Sequence, residues 1–196
     1  MRRRLLLRFC VAGGAWFALS GHTPYGHWKI YRRKHLIIGS CRADPPSFPL
    51  AEKIAGTLVR QLPESSARAS RAPDQRRVAS LLASSQWQVS VLRREEADDL
   101  AAGRGLFKTI GAVPLNSLFA MGDHLLVCRP DFPVRHAWLV AATLTENAAE
   151  IPGGAAPQAG AIPVHPGALA HAQGKPLPPA PAAEETESEE DHGHPH

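Results

Sequence analysis

The residues best placed for chemistry stand where strand-like runs give way to helices. In "HLIIGSCRADPPSFPLAEKIAGTLVRQL", residues 35 to 62, the run Leu36, Ile37 and Ile38 stops at Gly39. Ser40 and Cys41 come next, then a proline-punctuated loop, then Ser47 and Phe48 at the start of an amphipathic stretch. "SRAPD" repeats the arrangement, with Ser70 and Arg71 just before a second helix start. A strand feeding a helix N-terminus leaves backbone N–H groups pointing at the turn, and these favour an anionic or carbonyl-bearing ligand. Arg71 adds a planar fork that pairs bidentately with a carboxylate. Ser40, Cys41, Ser47, Phe48, Ser70 and Arg71 are therefore the candidate ligand-binding residues. The plainer reading is that every strand-to-helix turn has this form and that Arg71 is a surface arginine.

Three other groups carry possible chemistry. Cys41, at a strand end before a helix, would be a nucleophile if its thiol pKa were lowered. It needs a base, and no spacing ties His124, His136 or His165 to it, so no catalytic residue is assigned and no enzyme is expected. Glu95, Glu96, Asp98 and Asp99 crowd the first turns of a short helix, the sign of charge a helix N-terminus prefers, and read as a solvated face rather than a metal site. His192, His194 and His196 alternate at the acidic end of the chain, a pattern able to capture a transition metal weakly. No cofactor is implied.

The elements that must position these residues alternate. Leu36 to Ile38 reads as a buried strand. Leu50, Ile54, Leu58 and Leu62 make one face of a helix with Ser47 as its expected cap and Pro49 in its first turn. "SARASRA" (66 to 72) is a weak strand, and Val78, Leu81 and Leu82 give the next helix its apolar face. "WQVSVL" (87 to 92), "FKTIGAVPL" (107 to 115) and "DHLLVC" (123 to 128) are further strand candidates, and the acid-rich helix between them ends at Gly103. "PVRHAWLVAATLTENAAE" (133 to 150) is a helix expected to turn Trp138, Leu139, Ala142 and Leu144 inward. This order predicts an α/β fold with a doubly wound sheet, in which ligands sit at the carboxyl ends of strands.

Charge is segregated along the 196 residues. Eight of the 22 Lys and Arg lie in residues 1 to 35, which contain no Asp or Glu. Residues 36 to 150 hold 13 basic and 12 acidic residues, and six acids are packed into 184 to 191. The central domain thus has no basic patch, and nucleic acid is not an expected partner. Residues 1 to 21 combine a basic start, an apolar run from Phe9 to Leu19 and small residues at Ala18 and Ser20, the pattern of a signal peptide, and Arg3 and Arg4 also fit a twin-arginine export signal. Residues 22 to 35 are a basic juxtamembrane segment. Its Lys29, Arg32, Arg33 and Lys34 oppose translocation, so an uncleaved anchor is the alternative. Residues 36 to 150 form one domain, with Cys41 and Cys128 its two cysteines, free or paired. From 151 the Pro, Ala and Gly content is too high to build a core, and 175 to 196 reads as a disordered, acidic, His-tipped tail.

Within 151 to 174, "IPVHPGALAH" (162 to 171) resembles the closing motif of the TAXI family, the receptors of tripartite (TRAP) periplasmic transporters. "LIIGSCRADPPSFPLAEKIAGTL" is similar to that family's opening strand, small-residue loop and helix start, with Phe48, Pro49 and Leu50 in the matching places. "RASRAPDQRRVASLLASSQWQVSVLRREEADDL" is similar to its next βαβ unit. The resemblance covers about 36 to 130 and 133 to 172. It implies a periplasmic-binding-protein-like lobe and a small carboxylated or amino-acid-like solute handed to a membrane permease. It also implies a periplasmic location, with residues 1 to 21 holding the chain in the inner membrane where they are not cleaved. The family's glycine-rich first loop is here Ser40 to Pro46, bulkier and charged, and nearly all of the second lobe is missing. A partner or dimer mate would have to supply that lobe. The alternative is a non-transport interaction or sensing module that keeps the lobe as scaffold.

Overall fold

The computed structural model describes residues 35 to 179. The expected signal or anchor segment, nearly all of the juxtamembrane segment and the histidines 192, 194 and 196 lie outside these residues. Among the described residues, no helix is long and apolar enough to cross a membrane.

Three parallel strands and their connecting helices make the doubly wound part. Strand β1 (Ile37–Cys41) leads into helix α1 (Ser47–Gln61), then β2 (Arg68–Ala72), α2 (Gln75–Ala83) and β3 (Val89–Arg93). β1 lies between β2 and β3 and runs parallel to both. The two crossovers therefore leave β1 in opposite directions and, both being right-handed by the usual rule, place α1 and α2 on opposite faces. Their buried side chains agree. Leu50, Ile54 and Leu58 of α1 pack with Ile38, Val89 and Val91, whereas Val78 and Leu82 of α2 pack with Cys41 and Leu92.

The sheet does not continue as a purely parallel one. Helix α3 (Arg94–Ala102) leads to the hairpin of β4 (Asn116–Met121) and β5 (His124–Cys128). β5 inserts antiparallel between β3 and β4, and the two-residue β6 (Gly154–Ala155) closes the far edge, giving the order β2-β1-β3-β5-β4-β6. The expected strand over 107 to 115 is not formed. Gly105 to Phe107 make a 3₁₀ turn, and Gly103, Gly105 and Gly111 sit at positive φ, so Phe107, Val113 and Leu115 are buried from irregular backbone rather than from a strand. A register shift between Ser117 and Phe119 resets the alternation of β4, so Leu118 and Phe119 enter the same core cluster.

Two helix expectations also change. Ser47 is the first residue of α1 rather than its cap, which is Pro46 with no side-chain cap bond. Helix α4 (Val134–Glu146) buries Ala137, Val140, Ala141, Ala142, Thr143 and Leu144, while Trp138 and Leu139 stay half-exposed. The apolar face of α4 lies one residue round from the one expected because small alanines carry much of it.

Residues 151 to 174 join the core despite their composition. Ile151, Ile162 and Ala168 are buried, and Val164 bridges to Ser117 of β4. Helix α5 (Pro166–Ala172) starts at His165, whose Nδ1 accepts from Gly167 N–H at 3.1 Å while Nε2 donates to the Phe132 carbonyl at 3.0 Å. This pairing requires a neutral ring with its proton on Nε2. Burial pushes the pKa of His165 down from its ordinary 6.5. The unfolded chain then binds the proton first, so the stability His165 contributes is present above about pH 6.5 and falls as acid is added. We expect the unfolding free energy from urea titrations to decline below that pH, with a slope of up to about 1.4 kcal/mol per pH unit from this group. The decline should be shallower in His165→Gln.

Candidate functional site

β1 is flanked by β2 on one side and β3 on the other, so the topological switch of the sheet lies at its carboxyl end. Ligands of open α/β sheets bind in that crevice. Side chains alternate along a strand, so Arg71 follows Ala69, and Arg93 follows Val89 and Val91, onto the face that carries α1. The first turn of α1 lies on that face too. Its Phe48 N–H has no partner among the described residues, and Pro49 has no N–H to offer.

The loop from Cys41 to Ser47 is closed by one hydroxyl. Ser47 Oγ accepts from Cys41 N–H at 3.0 Å and lies 2.8 Å from the Asp44 carbonyl and 3.0 Å from that of Cys41, to which its single proton can be donated. The loop in turn buries Asp44, only 2% exposed, beneath the strand ends. Asp44 Oδ1 accepts from Arg93 Nε at 2.8 Å, and Oδ2 accepts from His124 Nε2 at 2.8 Å. His124, itself buried, stands opposite Arg93 in the β3–β5 register. One carboxylate thus ties the β1 loop to the end of β3 and the start of β5. It also stabilises the charged guanidinium of Arg93, whose pKa is pushed further up by this hydrogen bond. Only Nε of Arg93 is engaged. Its side chain is 52% exposed, and its terminal nitrogens carry no bond among the described residues.

On the β2 side a second arginine is held differently. The guanidinium carbon of Arg71 lies 3.7 Å from the Phe48 ring centroid, a cation–π stack that orients the fork without using its N–H groups. The edge therefore carries Arg71 and Arg93 on one sheet face, each braced by a partner that leaves donors open. That arrangement can receive a carboxylate or another small anion.

The six candidate residues divide. Phe48, Ser70 and Arg71 are at least partly exposed, and Phe48 meets Arg71 as a pair. Ser40, Cys41 and Ser47 are buried, with Ser40 Oγ donating to the Ser70 carbonyl at 2.8 Å and Ser47 closing the loop. These three shape the edge from beneath. Cys41 is 1% exposed, and desolvation, reinforced by Glu96 and Asp44 against the N–H groups of Ala43 and Asp44, pushes its thiol pKa up. It is a protonated core residue at neutral pH, without the thiolate a nucleophile needs. Cys41 and Cys128 are both free and belong to cores on opposite faces of the sheet.

The expected residues did not include the Asp44, Arg93 and His124 cluster. Its signals were a charged residue within a proline-rich loop and an arginine ending an apolar strand. Among the described residues no three His, Cys, Asp or Glu side chains converge to hold a metal. The chain matches no known protein-family model and no curated protein sequence.

Proposed function

We propose that this chain is an exported, TAXI-like solute-binding protein associated with the transport of small carboxylated or amino-acid-like solutes. The observation that carries the reading is the pair of braced arginines, Arg71 on Phe48 and Arg93 on Asp44, on the α1 face of the carboxyl edge. The open N–H of Phe48 adds to the same positive field. In this reading residues 1 to 21 direct the chain to the periplasm and tether it to the inner membrane if retained. A permease or other partner covers the open side of the site. The described lobe has no second lobe facing it, so about half of a buried solute's polar contacts come from elsewhere.

The test is a thermal-shift screen of the full chain with dicarboxylates and amino acids. A solute present at 100 times its Kd should stabilise the native state by about 2.7 kcal/mol and raise Tm accordingly. Arg71→Ala should abolish the rise while leaving the unliganded stability within about 0.5 kcal/mol, because the side chain is exposed. Arg93→Ala should weaken it. The second reading, an interaction or sensing scaffold without transport, is favoured by the burial of Ser40, Cys41 and Ser47. Absence of any shift in the wild-type chain would decide for it.

A further inference from the structure

Helix α5 ends in a turn that sends the chain back across α4. Gly174 takes φ +69°, its N–H bonds the His171 carbonyl at 2.8 Å, and Lys175 N–H bonds the Ala170 carbonyl at 2.9 Å. This is the paired bonding of a Schellman cap, and the left-handed glycine is what it requires. The chain then continues through Lys175, Pro176, Leu177, Pro178 and Pro179. Two side chains one turn apart on α4 reach this segment. Trp138 Nε1 donates to the Lys175 carbonyl at 3.1 Å, and Arg135 Nη1 donates to the Pro178 carbonyl. The Trp138 ring is itself held edge-on by His171, with centroids 5.1 Å apart at 87°. Leu177 and Pro178 are half-buried as a result.

Both contacts read backbone carbonyls, and the two carbonyls are three residues apart. Three residues make one turn of a polyproline II helix, whose carbonyls are left free because the conformation has no internal hydrogen bonds. An indole N–H and a second donor, set beside an aromatic surface, are how proline-rich segments are recognised generally. Proline has no N–H of its own and pre-sets φ, so little entropy is lost on docking. We propose that the outer face of α4, built on Arg135 and Trp138, is a recognition surface for a proline-rich, extended peptide of a partner chain. The chain's own residues 175 to 179 are its built-in competitor. Nothing in the contacts is peculiar to residues 175 to 179, since backbone carbonyls of any such peptide present the same acceptors.

The experiment uses the full chain labelled with ¹⁵N and tracks the Trp138 indole N–H resonance, assigned by its loss in Trp138→Phe. The probe is a synthetic peptide, GKPLPPAP, titrated into wild type and into the full-length triple variant Pro176→Gly, Pro178→Gly, Pro179→Gly. The variant should move the indole resonance without peptide, and it should bind the peptide more tightly than wild type, by about tenfold for a segment that leaves the surface open a tenth of the time. Arg135→Ala within the triple variant should lose that binding. Three results would overturn the proposal. They are an indole resonance unmoved by the glycine substitutions, no binding to the open variant, and equal binding of a length-matched Gly-Ser peptide.

Discussion

Replacing Asp44 with alanine lowers the unfolding free energy by about 3 kcal/mol, because it removes the acceptor of a buried pair and leaves the other partner unsatisfied. His124 is the partner that suffers. It is buried, and among the described residues Asp44 Oδ2 is the one side-chain hydrogen-bond partner of its Nε2, whereas the half-exposed Arg93 regains water. For a folded unit of this size the loss corresponds to a fall of about 10 °C in Tm. Asp44→Asn keeps the side-chain carbonyl as an acceptor and should lose less than half as much. The measurement is thermal unfolding of the three full-length proteins at one pH. A fall of under about 3 °C in the alanine variant, well short of the expected shift, would show that the cluster does not tie β1, β3 and β5 together. Solute binding should weaken in the alanine variant too, since Arg93 loses the group that aims it.

Gly167→Ala has a comparable effect from the other end of the fold. A Cβ at that position would lie 2.2 Å from the Val134 carbonyl oxygen and 2.9 Å from both Ala137 Cβ and Trp138 N. The obstacle is backbone on a packed helix, so it cannot rotate away. α5 must lift from α4, and overpacking of this kind costs about 3 kcal/mol. The lift also strains the bond from Gly167 N–H to His165 Nδ1, so part of the His165-linked pH dependence should go with it. Urea unfolding at about pH 7.5 and about pH 5.5, one unit either side of the ordinary histidine value, checks both statements. A variant as stable as wild type would mean that α4 and α5 are not rigidly apposed. Because Trp138 and His171 sit at the same helix pair, the variant should shift the Trp138 indole resonance as well.

Much of the doubly wound half was legible because its cues are local. Leu36 to Ile38 marked the first strand, which runs on through Gly39 to Cys41 rather than stopping at the glycine, and the 50, 54, 58 spacing marked α1, each from within one element. The other half depended on partners remote in sequence. "FKTIGAVPL" is apolar enough for a strand, yet the glycines around it adopt positive φ and the pairing begins only at Asn116. "IPVHPGALAH" has too few large apolar residues to look like core, and it is core because Gly167 lets α5 approach α4 closely. The site divided in the same way. Phe48 and Arg71 were marked by their positions at helix and strand ends, though not as a stacked pair. Asp44 meets Arg93 across 49 residues and His124 across 80, and no periodicity encodes such a meeting.

β2 has a further consequence as the outermost strand of the sheet. Among the described residues it pairs with β1 alone, and its other side offers backbone groups to any passing chain. Arg68 and Arg71 both stand exposed on it, and charge on an outer strand is how soluble proteins keep copies from adding on edge to edge. The arginine that the solute reading needs is therefore also a guard against self-association. Arg71→Ala should aggregate sooner than wild type when concentrated, whereas Arg71→Lys, which restores the charge without the planar fork, should stay dispersed.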